Sequence, residues 1–454
     1  MRLFQFVRAV LPILLVPTAR AKKPTIKSET IQADITESKL FTHLEALNNI
    51  AQDEGDGDRA FGLPGYDASV DYVWSHIANV PGATAWKQEF SAWFGQVKSI
   101  SLEVDGKNVH VLPLIYSPST PKNGITAGVV LGPEDEAGCD PASYENLNVT
   151  GKIVLTQRFE CPTGGKMASR IRPAAQNGAA AVIIYHDFTR EPVSDTLGDY
   201  DPDGFVPSGY IRYASGISLK ERIESGETVV ATFQHTQLYE KRTTQNLFVE
   251  TDEGDPENVI ILGAHLDSFQ GSPGINDNAS GVSAILEVFK ALTKYSFKNK
   301  VRFAWWGAME NGRMGSRYYC NNLASAEVDN ILAYLNFDII AKGYVGISDS
   351  DGKAWGTVAP PGSQIIRDIW VRHFSGQDTT PVRFDNVSDY ASFWQILNKP
   401  IGFLHTGIDE QDECNHLACD DVDNPNPGLL EFNAKGIAHM VAVLSMRGHV
   451  LIPS

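Results

Sequence analysis

Positive charge is scarce in this sequence. Lys and Arg total 38 against 55 Asp and Glu, which leaves a formal net charge of −17 and a pI of about 5.1. An acidic surface of that size repels phosphate backbones and excludes nucleic acid as a partner. Long apolar runs are missing as well. Beyond the first 21 residues no stretch reaches membrane-spanning length, so no membrane partner is expected. Repeats and low-complexity segments are absent. Cysteine is used sparingly, five times in 454 residues, in a pattern that suits an oxidising compartment. With 43% hydrophobic and 20% charged residues, the composition is that of an ordinary globular protein long enough for two or three domains.

The first 21 residues read as a secretory signal. Arg2 and Arg8 form a positive start, AVLPILLVP is a short apolar core, and Ala19–Ala21 is an A-x-A cleavage site. A soluble, secreted, extracellular chain is expected. Cys414 and Cys419 are close enough to staple one loop, Cys139 and Cys161 flank a predicted strand and could form a second bridge, and Cys320 is left as a buried free thiol. Of three sequons, at Asn148, Asn278 and Asn386, only Asn148 is expected to carry a glycan, because the others lie in candidate site loops.

Residues 36–91 read as helical, with apolar residues at helical spacing over 67–77. Residues 98–117 alternate about an Asp-Gly turn and predict a hairpin, and 117–124 reads as a linker. Residues 151–187 predict strand, loop, helix and strand, and 227–235 a further strand. From 246 onward strands at 258–264, 301–306, 331–338 and 401–406 alternate with amphipathic helices at 280–295 and 429–446. That alternation predicts an α/β fold with a mixed, mainly parallel sheet flanked by helices.

Acids and imidazoles recur where those strands end. His265 and Asp267 follow the first, with Asp277 in the same loop. Glu310 follows the second, Asp338 ends the third, and His416 follows the fourth. Parallel sheets build sites at the carboxyl ends of their strands. Two imidazoles and three carboxylates converging there suit a pair of zinc ions, one carboxylate bridging them. Asp267, two residues beyond His265, is the expected partner that fixes the imidazole tautomer.

GAHLDS…GINDNASGV, WWGAMENG, NFD and CNHLACD together resemble the secreted co-catalytic di-zinc aminopeptidases, including fungal members. GKIV, a Cys, a helix and GAAAVII within 125–236 resemble the protease-associated domain that such enzymes can carry as an α+β insert, a lid or specificity module. After the signal over 1–21, the resemblance implies peptidase segments at 22–118 and 237–454, with the insert at 119–236. It implies that Asp277 bridges two zinc ions, that His265 and Asp338 complete one site and Glu310 and His416 the other, and that Cys414–Cys419 is a family disulfide holding the ligand loop. The implied activity is hydrolysis of N-terminal peptide bonds, or of a related small amide, by a monomer using a zinc-activated water.

Two positions depart from the family. Its loop normally reads Gly-Ala-Glu-Glu, the first Glu being the general base, and here Met309 holds that place. A thioether has no titratable proton. Asn415 holds the place of a Tyr that steadies the oxyanion, and Asp412 or Glu413 are the nearby acids that could substitute as base. The alternative to an altered aminopeptidase is a catalytically silent relative that binds zinc or peptide.

Overall fold

The computed structural model describes residues 23–162, 167–186, 195–198, 200–408 and 410–453. The signal reading at 1–21 lies outside them. Strands and helices alternate from Asp255 to the end. Asp255–His265 lies between Asn299–Trp306 and Ile331–Phe337, parallel to both, and Ile401–His405 extends the parallel set. Val345–Ser348 runs antiparallel to Ile401–His405 and is paired in parallel with Thr379–Val382 at the edge.

The central strands are apolar over their whole length, because helices cover both faces. Helices Glu37–Asp53, Pro64–Ile77, Ser280–Leu292 and Pro427–Leu451 pack on one face around Leu44, Leu262, Phe289, Trp305 and Met440. Helices Met314–Asn322 and Tyr390–Gln395 cover the other, around Trp306, Tyr334 and Phe393. Pro427–Leu451 starts where Asn426 accepts a 2.9 Å hydrogen bond from Leu429 N, with Pro427 in the first turn. Among the described residues no helix is long and apolar enough to cross a membrane.

A ribbon joins this sheet to a second one. Ala83–Val104 and Val230–Thr251, 22 residues each, pair antiparallel along nearly their full length. At one end Val230–Thr251 pairs with Asn299–Trp306; at the other it pairs with Ile125–Leu131. There Ile125–Leu131, Ile153–Gln157, Ala181–His186 and Ser208–Arg212 form a parallel set closed by Leu112–Ile115. Helix Ala168–Gln176 packs on it with a core of its own, and Cys139–Cys161 ties its loops.

The helical reading of 36–91 is corrected at its end. Helices stop at Ile77, and Ala83 begins the ribbon. ATAWKQEF alternates too irregularly to reveal a strand, and only its remote partner defines it. The hairpin at 98–117 is real but short, Leu102–Val104 against Lys107–Val109, after which Leu112–Ile115 joins the second sheet. The strand read at 227–235 continues to Thr251 through polar residues that carry no strand signal.

Candidate active site

The loop after Asp255–His265 crosses the carboxyl edge of the sheet and is fastened at three points. Arg59, fully buried, donates to Leu266 O at 2.5 Å, Pro273 O at 2.9 Å and Gly274 O at 2.8 Å. Asp58 accepts from Gly271 N at 2.9 Å. Asp420 accepts from the amides of Asn276 and Asp277 at 2.8 and 3.0 Å. These bonds fix the Asp277 carboxylate between two imidazoles. Its Oδ1 lies 3.2 Å from His265 Nε2 and its Oδ2 lies 3.1 Å from His416 Nε2. Asp338 Oδ1 is 3.1 Å from His265 Nε2, and Glu310 Oε2 is 3.4 Å from His416 Nε2. Two triads result, His265–Asp277–Asp338 and Asp277–Glu310–His416, each with ligand atoms within 4.8 Å of one another.

Each residue is held from behind. Ser388 donates to Asp338 Oδ2 at 2.5 Å and accepts from Asn336 Nδ2 at 2.8 Å. Asn336 accepts from Tyr334 OH at 2.7 Å, which accepts from Trp306 Nε1 at 2.8 Å. The Phe269 ring stacks on His416 at 4.4 Å. Cys414–Cys419 closes the loop that carries His416, and Cys320 is a buried free thiol. Three non-glycine residues in or beside the site, Ala308, Ile339 and His416, have φ of 54°, 52° and 58°. Left-handed backbone of this kind persists only where the surroundings over-determine it.

The electrostatics are those of a buried carboxylate cluster in want of cations. Burial lifts the Glu310 carboxyl to about 8, with neighbouring Asp277 adding to it, and Glu310 Oε1 is buried without a hydrogen-bond partner among the described residues. Burial opposes a charge on His416, yet Glu310 and Asp277 outweigh it and raise the ring to about 10. His265 is likewise raised, by Asp338 and Asp277 against the cost of burial. Asp277 is lowered, because bonds from both imidazoles overcome its burial.

Other sequence-read residues take different parts. The His265 Nδ1 hydrogen bond goes to the backbone carbonyl of Asp267, at 2.9 Å, while the Asp267 carboxylate is 3.9 Å away. That carboxylate instead accepts from the amides of Met309 and Glu310 at 3.0 and 3.1 Å, anchoring the loop. Met309 is buried beside Glu310. Asn415 donates to Asp277 Oδ2 at 2.7 Å, so one of its N–H groups is engaged on the shared carboxylate. Asp412 is 1% exposed and accepts from Cys414 N, Asn276 Nδ2 and Asn424 Nδ2, which makes it a brace rather than a spare base. Glu413 is exposed. Asp420, Ser388, Arg59 and Phe269 went unassigned in the sequence, since each acts through a partner distant in the chain. Ser388 belongs to the Asn386 sequon, and Asn278 is fully buried, whereas Asn148 is exposed.

Residues 246–441 match the model of peptidase family M28, and 125–219 match the PA domain. Leucine aminopeptidase 2 of Trichophyton rubrum is 33% identical over 441 residues, covering 92% of this chain and 86% of the relative. The chain belongs to peptidase family M28. It is a peptidase-type hydrolase with a PA insert. The probable lipoprotein aminopeptidase LpqL of Mycobacterium tuberculosis is 35% identical to this M28 chain over 437 residues, covering 90% of the chain and 85% of that protein. The M28 fold is seen again in the aminopeptidase from Aneurinibacillus sp. strain AM-1, with a TM-score of 0.77, 23% identity and coverage of 92% and 96%. BSAP, a zinc aminopeptidase from Bacillus subtilis, aligns with a TM-score of 0.67 at 18% identity, covering 94% and 97%.

Proposed function

We propose that this M28 peptidase is a two-zinc aminopeptidase, exported through residues 1–21, whose proton-transfer step is impaired at position 309. The observation that carries the reading is the Asp277 carboxylate, shared oxygen by oxygen between His265 and His416. The donors fit zinc in chemistry, two imidazole nitrogens and three carboxylates. They also fit in charge, since the buried, unpartnered Glu310 oxygen calls for a cation. His265, Asp277 and Asp338 would hold one ion, and Asp277, Glu310 and His416 the other. Bound there, the pair would acidify a water and polarise the scissile carbonyl.

The chain's own residues do the rest. Asp267 holds the Met309–Glu310 amides in place, and Ser388 orients Asp338. Met309 can neither accept a proton from the attacking water nor deliver one to the leaving amine. The substrate is a peptide or small amide with a free N-terminus. The two disulfides accord with an oxidising, extracellular setting, and Asn148 is open to glycosylation. A second reading, a zinc- or peptide-binding relative without turnover, is favoured by Met309 together with the Asn415 bond to Asp277.

Metal analysis after equilibration with zinc and dialysis tests the central claim. Wild type should hold close to two ions per chain, and Asp277→Asn less than one. Two ions retained by Asp277→Asn, or none in wild type, would refute it.

A further inference from the structure

A tyrosine links the insert's sheet to the catalytic loop. Strand Leu112–Ile115 closes that sheet against Ser208–Arg212, and Tyr116 follows it. Tyr116 is 1% exposed and its φ is 73°, left-handed backbone that a side chain of this size adopts only where its surroundings impose it. They do so from three sides. Tyr116 N donates to Gln237 Oε1 at 2.9 Å. Ser117 Oγ, one residue on, accepts from Ser208 N at 2.7 Å. The ring lies so close to Gly95 of the ribbon that a β-carbon there would meet it at 3.0 Å.

The hydroxyl so placed is used twice. It donates to Trp93 O of the ribbon at 2.7 Å and accepts from Asn311 Nδ2 at 2.8 Å. With its one proton given to Trp93, it can serve Asn311 only as an acceptor. Asn311 is 5% exposed and directly follows Glu310. Gly312 comes next and runs close against the insert, where a β-carbon would meet Gly198 O at 2.2 Å. Glu310 is thus held from both sides. Asp267 takes the amides of Met309 and Glu310 at 3.0 and 3.1 Å, and Tyr116 holds Asn311. Asp338 has a different support, through Ser388 and Asn336 of the peptidase domain.

We propose that Tyr116 is a positioning residue for the Glu310–His416 half of the metal centre, and that the insert acts on the site through it. This role rests on the two-zinc reading above. The insert's sheet, the ribbon and the catalytic loop meet at one hydroxyl, so a shift of the insert is transmitted to Glu310 and leaves Asp338 undisturbed. Removing the hydroxyl leaves the buried Asn311 amide without its partner, which favours a displaced loop. Zinc held by Glu310 weakens; zinc held by Asp338 does not.

Zinc titration of the metal-free full chain, in competition with a chromophoric chelator, tests the role by resolving two uptake steps. Glu310→Gln and Asp338→Asn each remove one step and so assign it. Tyr116→Phe, which keeps the ring, should weaken the Glu310 step by about tenfold or more and leave the Asp338 step unchanged. Asn311→Leu, which removes the same bond from the other side, should do the same. The double variant should lose no more than either single one, because both act through one contact. With two ions bound by wild type, equal weakening of both steps, weakening of neither, or additive losses in the double variant overturns the role and leaves the metal site standing. Uptake of fewer than two ions by wild type overturns the two-zinc reading and this role with it.

Discussion

On the proposed two-zinc reading, one side chain at position 309 separates a complete ligand set from a complete mechanism. A positioned general base contributes roughly 10²–10⁴ in rate, or about 3–5.5 kcal/mol of barrier. Met309→Glu should therefore raise kcat/KM on aminoacyl arylamides by about 10²-fold or more, measured beside wild type with zinc present in both. Asn415 would cap the gain, because its hydrogen bond to Asp277 turns a donor away from the place where an oxyanion forms. Rapid turnover by wild type, unchanged by the substitution, would mean that another residue serves as base. The backbone at 309 does not stand in the way. Asp267 grips the Met309 and Glu310 amides without regard to the side chain.

Among the elements, the loop from Leu266 to Asp277 is held largely by residues distant in the chain. Arg59, from another part of the chain, satisfies three of its carbonyls. Replacing a buried donor leaves acceptors unsatisfied at about 1–3 kcal/mol each. Arg59→Met should lower the unfolding free energy by several kcal/mol and weaken zinc retention, as read by urea unfolding and metal analysis. Equal stability and equal zinc would show that water replaces the guanidinium at no cost. Helix Ser280–Leu292 carries a separate pH dependence. Burial alone would raise Glu287, but hydrogen bonds from His43 and Lys290 bring it down to about 2 from an ordinary 4.5. A depressed carboxylate contributes stability that is complete above the unfolded pKa and is lost as pH falls through the folded one. The gap in stability between wild type and Glu287→Gln, on the order of 3 kcal/mol at neutral pH, should close between pH 4.5 and 2. A constant gap across that range would remove the ionised carboxylate as its cause. The elements also divide by how well the sequence disclosed them. The apolar strands and the long helices announced themselves by period. The strands Val345–Ser348 and Thr379–Val382, of four residues each, are too short to do so. The polar middle of Val230–Thr251 is a strand only because Ala83–Val104 lies against it.

For the whole molecule, the five acids and imidazoles were legible in the sequence because each follows an apolar strand, and strand ends of a parallel sheet share one edge. What was not legible are the residues that act across distance. Ser388 reaches Asp338, Asp420 reaches the Asp277 amide and the 195–198 segment reaches the 309 loop, each by way of the tertiary fold. Three carboxylates gathered at one edge repel one another until cations or protons arrive, so metal should stabilise the entire chain. A ligand at a hundredfold excess over its Kd adds about 2.7 kcal/mol. Chelation should lower Tm by several degrees, and restored zinc should raise it again in a concentration-dependent way. A Tm indifferent to chelator would mean that the acids are balanced by protons alone.

The paired strands Ala83–Val104 and Val230–Thr251 have a further consequence, for solubility. The far end of the second strand, Val230–Phe233, is hydrogen-bonded to Ile125–Gly128 of the insert. A protease nick or gene deletion that removed 125–219 would not return a smaller, tidy peptidase. It would leave a protruding two-stranded tongue whose newly bare edge offers amides and carbonyls to any neighbouring chain. Light scattering of the excised protein should show self-association that the full-length chain does not. On this account the insert shields the ribbon that holds it, and its loss would be felt first as precipitation, before any change in selectivity could be measured.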